Sequence, residues 1–167
     1  MNNSNKNIDE FKLAMRRFAS AISIITSVDE NGTRYGMAAT SVTSLTVDPP
    51  SVLTCINRTA SIHAHLTPGI YTCINLLTNE HKELVSAFSG ALKGEERFQI
   101  GKWENNDKGL PYLTDAQAYM ICKVKNIIPQ GSHSIIINDV ISSKSLVEVN
   151  PLIYADGKIF SISELNA

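Results

Sequence analysis

A chain of 167 residues with 43% hydrophobic and 19% charged residues is large enough to bury a core and is not the profile of a disordered polymer. A net charge of −1 and a pI near 6.4 argue against a surface that collects nucleic-acid phosphates. No apolar run approaches the roughly 20 residues that cross a bilayer, and the polar start Met1-Asn-Asn-Ser-Asn-Lys-Asn7 lacks an apolar signal core. The expectation is a cytoplasmic protein with neither nucleic acid nor membrane as partner.

Residues 1–7 read as a flexible N-terminal arm and 8–167 as one domain, since no repeat, linker or composition shift divides them. From Asp9 to Ala19 the apolar residues Phe11, Ala14, Met15 and Phe18 recur at helical spacing, with Asp9 as the cap. Ala21 to Val28 is rich in β-branched residues and reads as a strand. It runs into an Asp29-Glu-Asn-Gly32 hairpin turn, in which Asn31-Gly32 is expected to supply positive φ. Thr33 to Ile56 is strand again, broken at Asp48-Pro-Pro50. A short helix follows, capped by Thr59 and stopped at Pro68-Gly69. Next come a strand over Ile70 to Leu77 and a helix over Asn79 to Phe88.

Ser89 to Pro111 has glycines, mixed charges and few periodic apolar positions, the pattern of a long loop or lid with a helical turn around Glu95 to Phe98. Ala116 to Ile128 and His133 to Ser142 form a long hairpin across Pro129-Gln-Gly131. Asp156-Gly157 turns a closing hairpin. Many short strands with few helices predict a mainly β fold, an antiparallel barrel. No Gly-x-Gly-x-x-Gly and no P-loop is present, so a nucleotide must be held in another way.

Two segments stand out chemically. In Gly36-Met-Ala-Ala-Thr-Ser-Val-Thr-Ser-Leu-Thr-Val-Asp-Pro-Pro50, the side chains of Ala38, Ala39, Thr40, Ser41, Thr43 and Ser44 are small or hydroxylic. A flat ring can approach the backbone of such a strand, and an edge strand with a solvated Ser/Thr face fits the same pattern. Cys55-Ile-Asn-Arg-Thr-Ala-Ser61 ends a strand and opens a helix, with Arg58 as a fixed charge and Ser61 as a donor. Phosphate binding and plain capping are equally compatible with it. Cys55, Cys73 and Cys122 lie in apolar runs that match no metal or redox spacing and read as reduced, buried hydrophobes. His63 and His65, two apart on a helix, point away from each other, which favours a solvent-exposed pair and no metal site. His81 reads as a solvated helix face. Trp103 suits lid packing or stacking on a nucleotide, and Tyr154 suits core filling or a ligand border.

These two segments closely resemble the flavin reductase-like family, whose members include the small reductase components of two-component flavin monooxygenases. The resemblance continues in collinear order through Phe11 to Phe18, Ile74-Asn-Leu76, Phe88-Ser-Gly90, Arg97-Phe98, Gly131-Ser-His133 and Pro151-Leu-Ile-Tyr154 with Gly157. It implies an FMN-binding split barrel (a Greek-key antiparallel barrel), a homodimer with flavin near its interface, and NADH or NADPH reducing FMN or FAD. A flavin-dependent monooxygenase is the implied consumer of the reduced flavin. A non-catalytic flavin-binding or electron-carrier protein of the same fold is the alternative.

Carried over position by position, Ala39, Thr40, Ser41 and Ser44 would line the isoalloxazine. Cys55, Ile56 and Asn57 would meet it largely through backbone, and Arg58 and Ser61 would take the phosphate. Phe88, Ser89, Gly90 and Arg97 would contribute from the lid, and His133 would stand near the nicotinamide as the catalytic candidate. The chain departs from the family where it has Ser132 in place of the usual acid before His133. It also has Asn138 in place of a glycine, a residue expected to tolerate a left-handed backbone.

Overall fold

The computed structural model describes residues 3–162; side chains are described from Lys6. Helix α1 (Asn3–Met15) is followed by β1 (Ser20–Ala21), β2 (Ser23–Val28), β3 (Arg34–Ala39), β4 (Val42–Val47) and β5 (Pro50–Asn57). Then come α2 (Ser61–His65), β6 (Tyr71–Leu76) and α3 (Lys82–Ser86). The chain ends with β7 (Trp103–Asn105), β8 (Pro111–Leu113), β9 (Ala118–Gln130), β10 (His133–Ser145), β11 (Leu152–Ala155) and β12 (Lys158–Ser161).

Seven strands form one antiparallel sheet in the order β3-β2-β6-β9-β10-β5-β4. Its two edge strands, β3 and β4, are neighbours in the chain, joined only by Thr40 and Ser41. A sheet whose outermost strands share so short a link must curl until its edges meet. Register shifts after Ile137 and Val140 in β10 and after Ser44 in β4 supply the bends. This is the expected mainly β split barrel. Ile25, Val52, Ile56, Ile74, Val124 and Ile136 fill its interior, and Ile62 of α2 and Leu66 just after it pack into the same cluster.

The alternation of β2 divides two cores. Ile25 points into the barrel, whereas Ile24 joins Leu77, Leu84, Phe88, Phe98, Leu113 and Leu152 in a second cluster outside it. That outer cluster ties down the segment expected to be a lid. Its helical turns are followed by a small β7–β8 hairpin that hydrophobic patterning did not reveal. Gly36 in β3 is part of the fit, because a Cβ there would lie 2.5 Å from Phe88 Cε1. Trp103 packs on Phe88 and Phe98 and donates Nε1–H to the Ile100 carbonyl at 2.7 Å, so its role is lid packing.

Several local expectations are corrected. Helix α1 takes in Asn3–Asn7 of the expected arm, while residues 1 and 2 lie outside the described residues. Asp9 is interior and pairs with Lys12 at 3.7 Å, one turn away, in place of capping. At the first hairpin Gly32 has φ +81°, but Asn31 is not left-handed; the Asp29 carboxylate holds the turn by accepting from the N–H groups of Asn31 and Thr33. The residue before α2 is Ala60, not Thr59, because the Asn57 side chain already binds the N–H and hydroxyl of Thr59.

Asn138 is not left-handed either; Asp156 is the only non-glycine residue with positive φ among the described residues. The Asn138 side chain is buried at the bulge, donating to the Ile136 carbonyl and accepting from Thr72 Oγ1. Asp156 and Gly157 both adopt positive φ, 48° and 77°, and close the β11–β12 hairpin as a two-residue mirror-image turn does.

The cysteines divide. Cys73 and Cys122 are fully buried, and burial raises both thiols, Cys122 to about 12. Cys55 is half-buried. Thiol titration of the native protein is expected to label Cys55 alone, with the other two reacting only after unfolding; fast labelling of all three would contradict the packing.

Candidate active site

The small-residue segment places Thr40 and Ser41 at the seam where β3 passes to β4. Ser41 Oγ donates to the Cys55 carbonyl at 2.8 Å, and the Cys55 N–H donates back to the Ser41 carbonyl at 3.2 Å. The Cys55 backbone is thus already engaged at this point. Ala39 and Ile56 are buried in the barrel core, so their side chains are not at a surface. Ser44 lies on the exposed face of β4, opposite Val52.

A second cluster forms at the end of β5. His133 is in register with Asn57, and the Arg58 N–H donates to the Ser132 carbonyl at 2.9 Å. The Arg58 side chain is exposed, with Nη1 3.5 Å from the Gly131 carbonyl. Ser132 Oγ sits 2.9 Å from His133 Nδ1, in the place where the family's acid would stand. This contact orients the ring without a charge and leaves Nε2 for a ligand. Ser61 is exposed at the start of α2, beside this cluster in sequence.

The two clusters are joined by β5 itself. Cys55 to Arg58 covers three residue steps, about 10 Å of extended chain. That span suits a flat ring lying at Ser41 with its sugar–phosphate tail reaching Arg58.

The lid residues are placed differently from expectation. Arg97 donates Nε–H to the Leu92 carbonyl at 3.0 Å and Nη1–H to the Gly36 carbonyl, so its guanidinium fastens the lid to β3. Arg34 helps through Glu95, with Nε 2.8 Å from Oε2, and this hydrogen bond holds the Glu95 carboxyl below its ordinary value. The Phe88 ring is buried edge-on against Phe98. Ser89 and Gly90 are exposed, and Gly90 needs its φ of +115°.

The histidines are not a solvent-exposed pair. His63 Nε2 meets Ser134 Oγ at 2.9 Å, and His65 Nε2 meets Ser27 Oγ at 3.2 Å while its ring stacks on Tyr35. They diverge toward opposite strands, as their spacing required. Among the described residues no group of three His, Cys, Asp or Glu is placed to hold a metal. His81 is buried, not solvated: its Nδ1 accepts from the Thr78 N–H at 3.1 Å and its Nε2 lies 3.2 Å from Asp115.

Sequence reading missed a cavity of about 800 Å³ that opens between α1 and the barrel. Phe11 and Met15 of α1 and Phe18 just after it wall one side, and Ser20, Thr40, Ser41 and Tyr154 the other. Its size lies within the range of small-molecule sites. The apolar stripe of α1 was the available signal, and it lines this cavity. Tyr154 belongs to this border and not to the core.

Residues 15–163 match the flavin reductase like domain. The chain belongs to the flavin reductase-like family. It is 34% identical over 154 residues to the reductase component of FADH(2)-dependent resorcinol hydroxylase from Rhizobium sp. (strain MTP-10005), covering 92% of this chain and 86% of that one. It is 36% identical over 153 residues to FMN reductase (NADH) RutF 2 from Rhizobium rhizogenes, covering 92% and 88%. Among solved structures, flavin reductase HpaC complexed with NADP+ superposes with a TM-score of 0.81 at 30% identity, covering 95% of this chain and 99% of that one. Among the described residues, no helix is long and apolar enough to cross a membrane.

Proposed function

We propose that this flavin reductase-like chain uses NADH or NADPH to reduce FMN or FAD and hands the reduced flavin to a monooxygenase in the cytoplasm. The observation that carries the reading is the Ser41–Cys55 seam, which opens on a cavity of about 800 Å³ and leads along β5 to Arg58. Family membership and the relatives' names support the same chemistry. Bound at this seam, a flavin supplies the hydride acceptor for reduced nicotinamide.

The protein's part is placement and electrostatics. Thr40 and Ser41 keep side chains small where the ring approaches. Arg58 and Ser61 hold the phosphate and so set the position of the ring along β5. His133, oriented by Ser132, borders the nicotinamide and turns Nε2 toward it. Arg97 acts at one remove, holding the lid against β3.

The test is direct. Purified protein mixed with NADH or NADPH and excess FMN is expected to deplete the nicotinamide absorbance with multiple turnovers. Flavin binding without turnover would identify a carrier of the same fold, and no quenching of FMN or FAD fluorescence would remove the flavin reading altogether.

A homodimer completes the proposal. Val47 on β4 is 84% exposed, and Val147 and Val149 before β11 are 100% and 77% exposed, apolar side chains that a second copy would cover. Light scattering at micromolar concentration is expected to give twice the chain mass, and a monomer mass would count against it.

A further inference from the structure

The outer face of β6 and β9 carries a separate cavity of about 350 Å³. In the sheet order these strands stand third and fourth of seven, far from the seam where β3 meets β4. None of Thr40, Ser41, Cys55 and Arg58 lines it, so it is distinct from the cleft given to flavin and nicotinamide.

Alternation along the strands creates it. Ile74, Cys122 and Val124 belong to the barrel interior, which turns Tyr71, Cys73, Tyr119 and Ile121 to the outer face. There Cys73 and Ile121 pack with Leu110, and Tyr71, Tyr112 and Tyr119 stand half-buried around them. The Tyr112 and Tyr119 ring centroids are 4.9 Å apart. The β7–β8 loop is fixed by Asn106, whose Oδ1 accepts from the N–H groups of Lys108 and Leu110 at 2.9 and 3.1 Å. The register shift after Val140 in β10 leaves Ile141 exposed, and it lines the same cavity.

The charges are unequal. Lys108 Nζ stands 4.9 Å from the Tyr71 ring centroid, and Lys123 Nζ stands 5.8 Å from it. Among the described residues neither lysine makes an ion pair. Asp107 is the one carboxylate in the lining, and Glu104 accepts from the Tyr112 hydroxyl at 2.8 Å. Two cations at one ring, against one lining carboxylate, leave positive charge in excess. The aromatic walls suit a flat ring and the excess charge suits an anion. A volume at the low end of small-molecule sites admits a single ring system and not a dinucleotide.

We propose that this cavity binds a small aromatic carboxylate, with its ring against Tyr71 and Tyr119 and its carboxylate at Lys108 and Lys123. The site stands whether or not the flavin reductase reading holds.

Benzoate is the probe, titrated by ligand-observed NMR into full-length protein with and without saturating FMN. A dissociation constant on the order of 1 mM is expected for so small a ligand, the same in both titrations. Benzyl alcohol has the ring without the charge, and cyclohexanecarboxylate has the charge without the flat ring; each should bind at least about fivefold more weakly. Lys108→Gln and Lys123→Gln should each weaken benzoate about two- to fivefold, and together about tenfold, as exposed ion pairs do. FMN affinity and melting temperature should stay at wild-type values in all three variants.

No benzoate binding at about 10 mM would overturn the inference. So would competition between benzoate and FMN, which would move the probe to the flavin cleft. Equal binding of benzyl alcohol, or an unchanged benzoate affinity in the double variant, would remove the lysines and overturn it too. Wild type that binds benzoate but no FMN would sink the flavin reading and leave this site standing.

Discussion

Arg58→Ala is expected to weaken FMN binding by about 1.5–3 kcal/mol, roughly ten- to a hundred-fold, while riboflavin affinity stays constant. The contrast follows from the missing phosphate of riboflavin. Arg58 is well placed for such a discriminating role. Its backbone N–H is fixed on the Ser132 carbonyl at 2.9 Å, whereas its guanidinium is exposed and makes only a long contact of 3.5 Å to Gly131. Replacing the side chain therefore leaves the strand end intact. Titrating both ligands against both proteins separates the readings. Equal loss for FMN and riboflavin, with a lowered melting temperature, would make Arg58 a structural residue. No change for either would leave it a surface charge and pass the phosphate to Ser61 and its neighbouring backbone.

Asn75→Leu should lower stability by about 2–5 kcal/mol, because it strands more than one buried partner at once. Asn75 is fully buried in β6. Its Nδ2 donates to the Ile24 carbonyl at 3.0 Å, and its Oδ1 accepts from the Leu113 N–H at 2.8 Å. Leucine keeps the branched four-atom side-chain skeleton, so the substitution removes the hydrogen bonds without opening a cavity. At about 2–4 °C per kcal/mol for a chain of this size, the melting temperature should fall by roughly 4–20 °C. The amide links the sheet to the β7–β8 hairpin, so that hairpin should also become more susceptible to proteolysis. A shift within 1–2 °C (about 0.5 kcal/mol) would show that water replaces the amide without cost.

The strands and their turns were legible in the sequence because their causes are local. Apolar runs rich in β-branched residues marked β2, β5, β6, β9 and β10, and Gly32 and Asp156-Gly157 marked turns through backbone conformations that few residues tolerate. The end of β5 was readable for the same reason: Asn57, Arg58 and Ser61 are close in the chain. By itself the sequence therefore determined a mainly β fold, and its ordered motifs pointed to a flavin reductase-like chain.

Other features depend on contacts that no local pattern encodes. Arg97 reads as a ligand-binding arginine until Gly36, 61 residues away, supplies the carbonyl that takes its Nη1–H. Asn138 stands where a glycine was expected, yet its backbone is ordinary, because a bulge and Thr72 accommodate the side chain. His81 shows helix periodicity typical of a surface, and only Asp115 and Thr78 make it a buried cap. The amphipathic stripe of α1 announced an apolar face without saying what it faces. Tertiary structure alone decided that this face opens on a cavity beside Thr40 and Ser41, because closing the sheet brings residues from opposite ends of the chain to one seam.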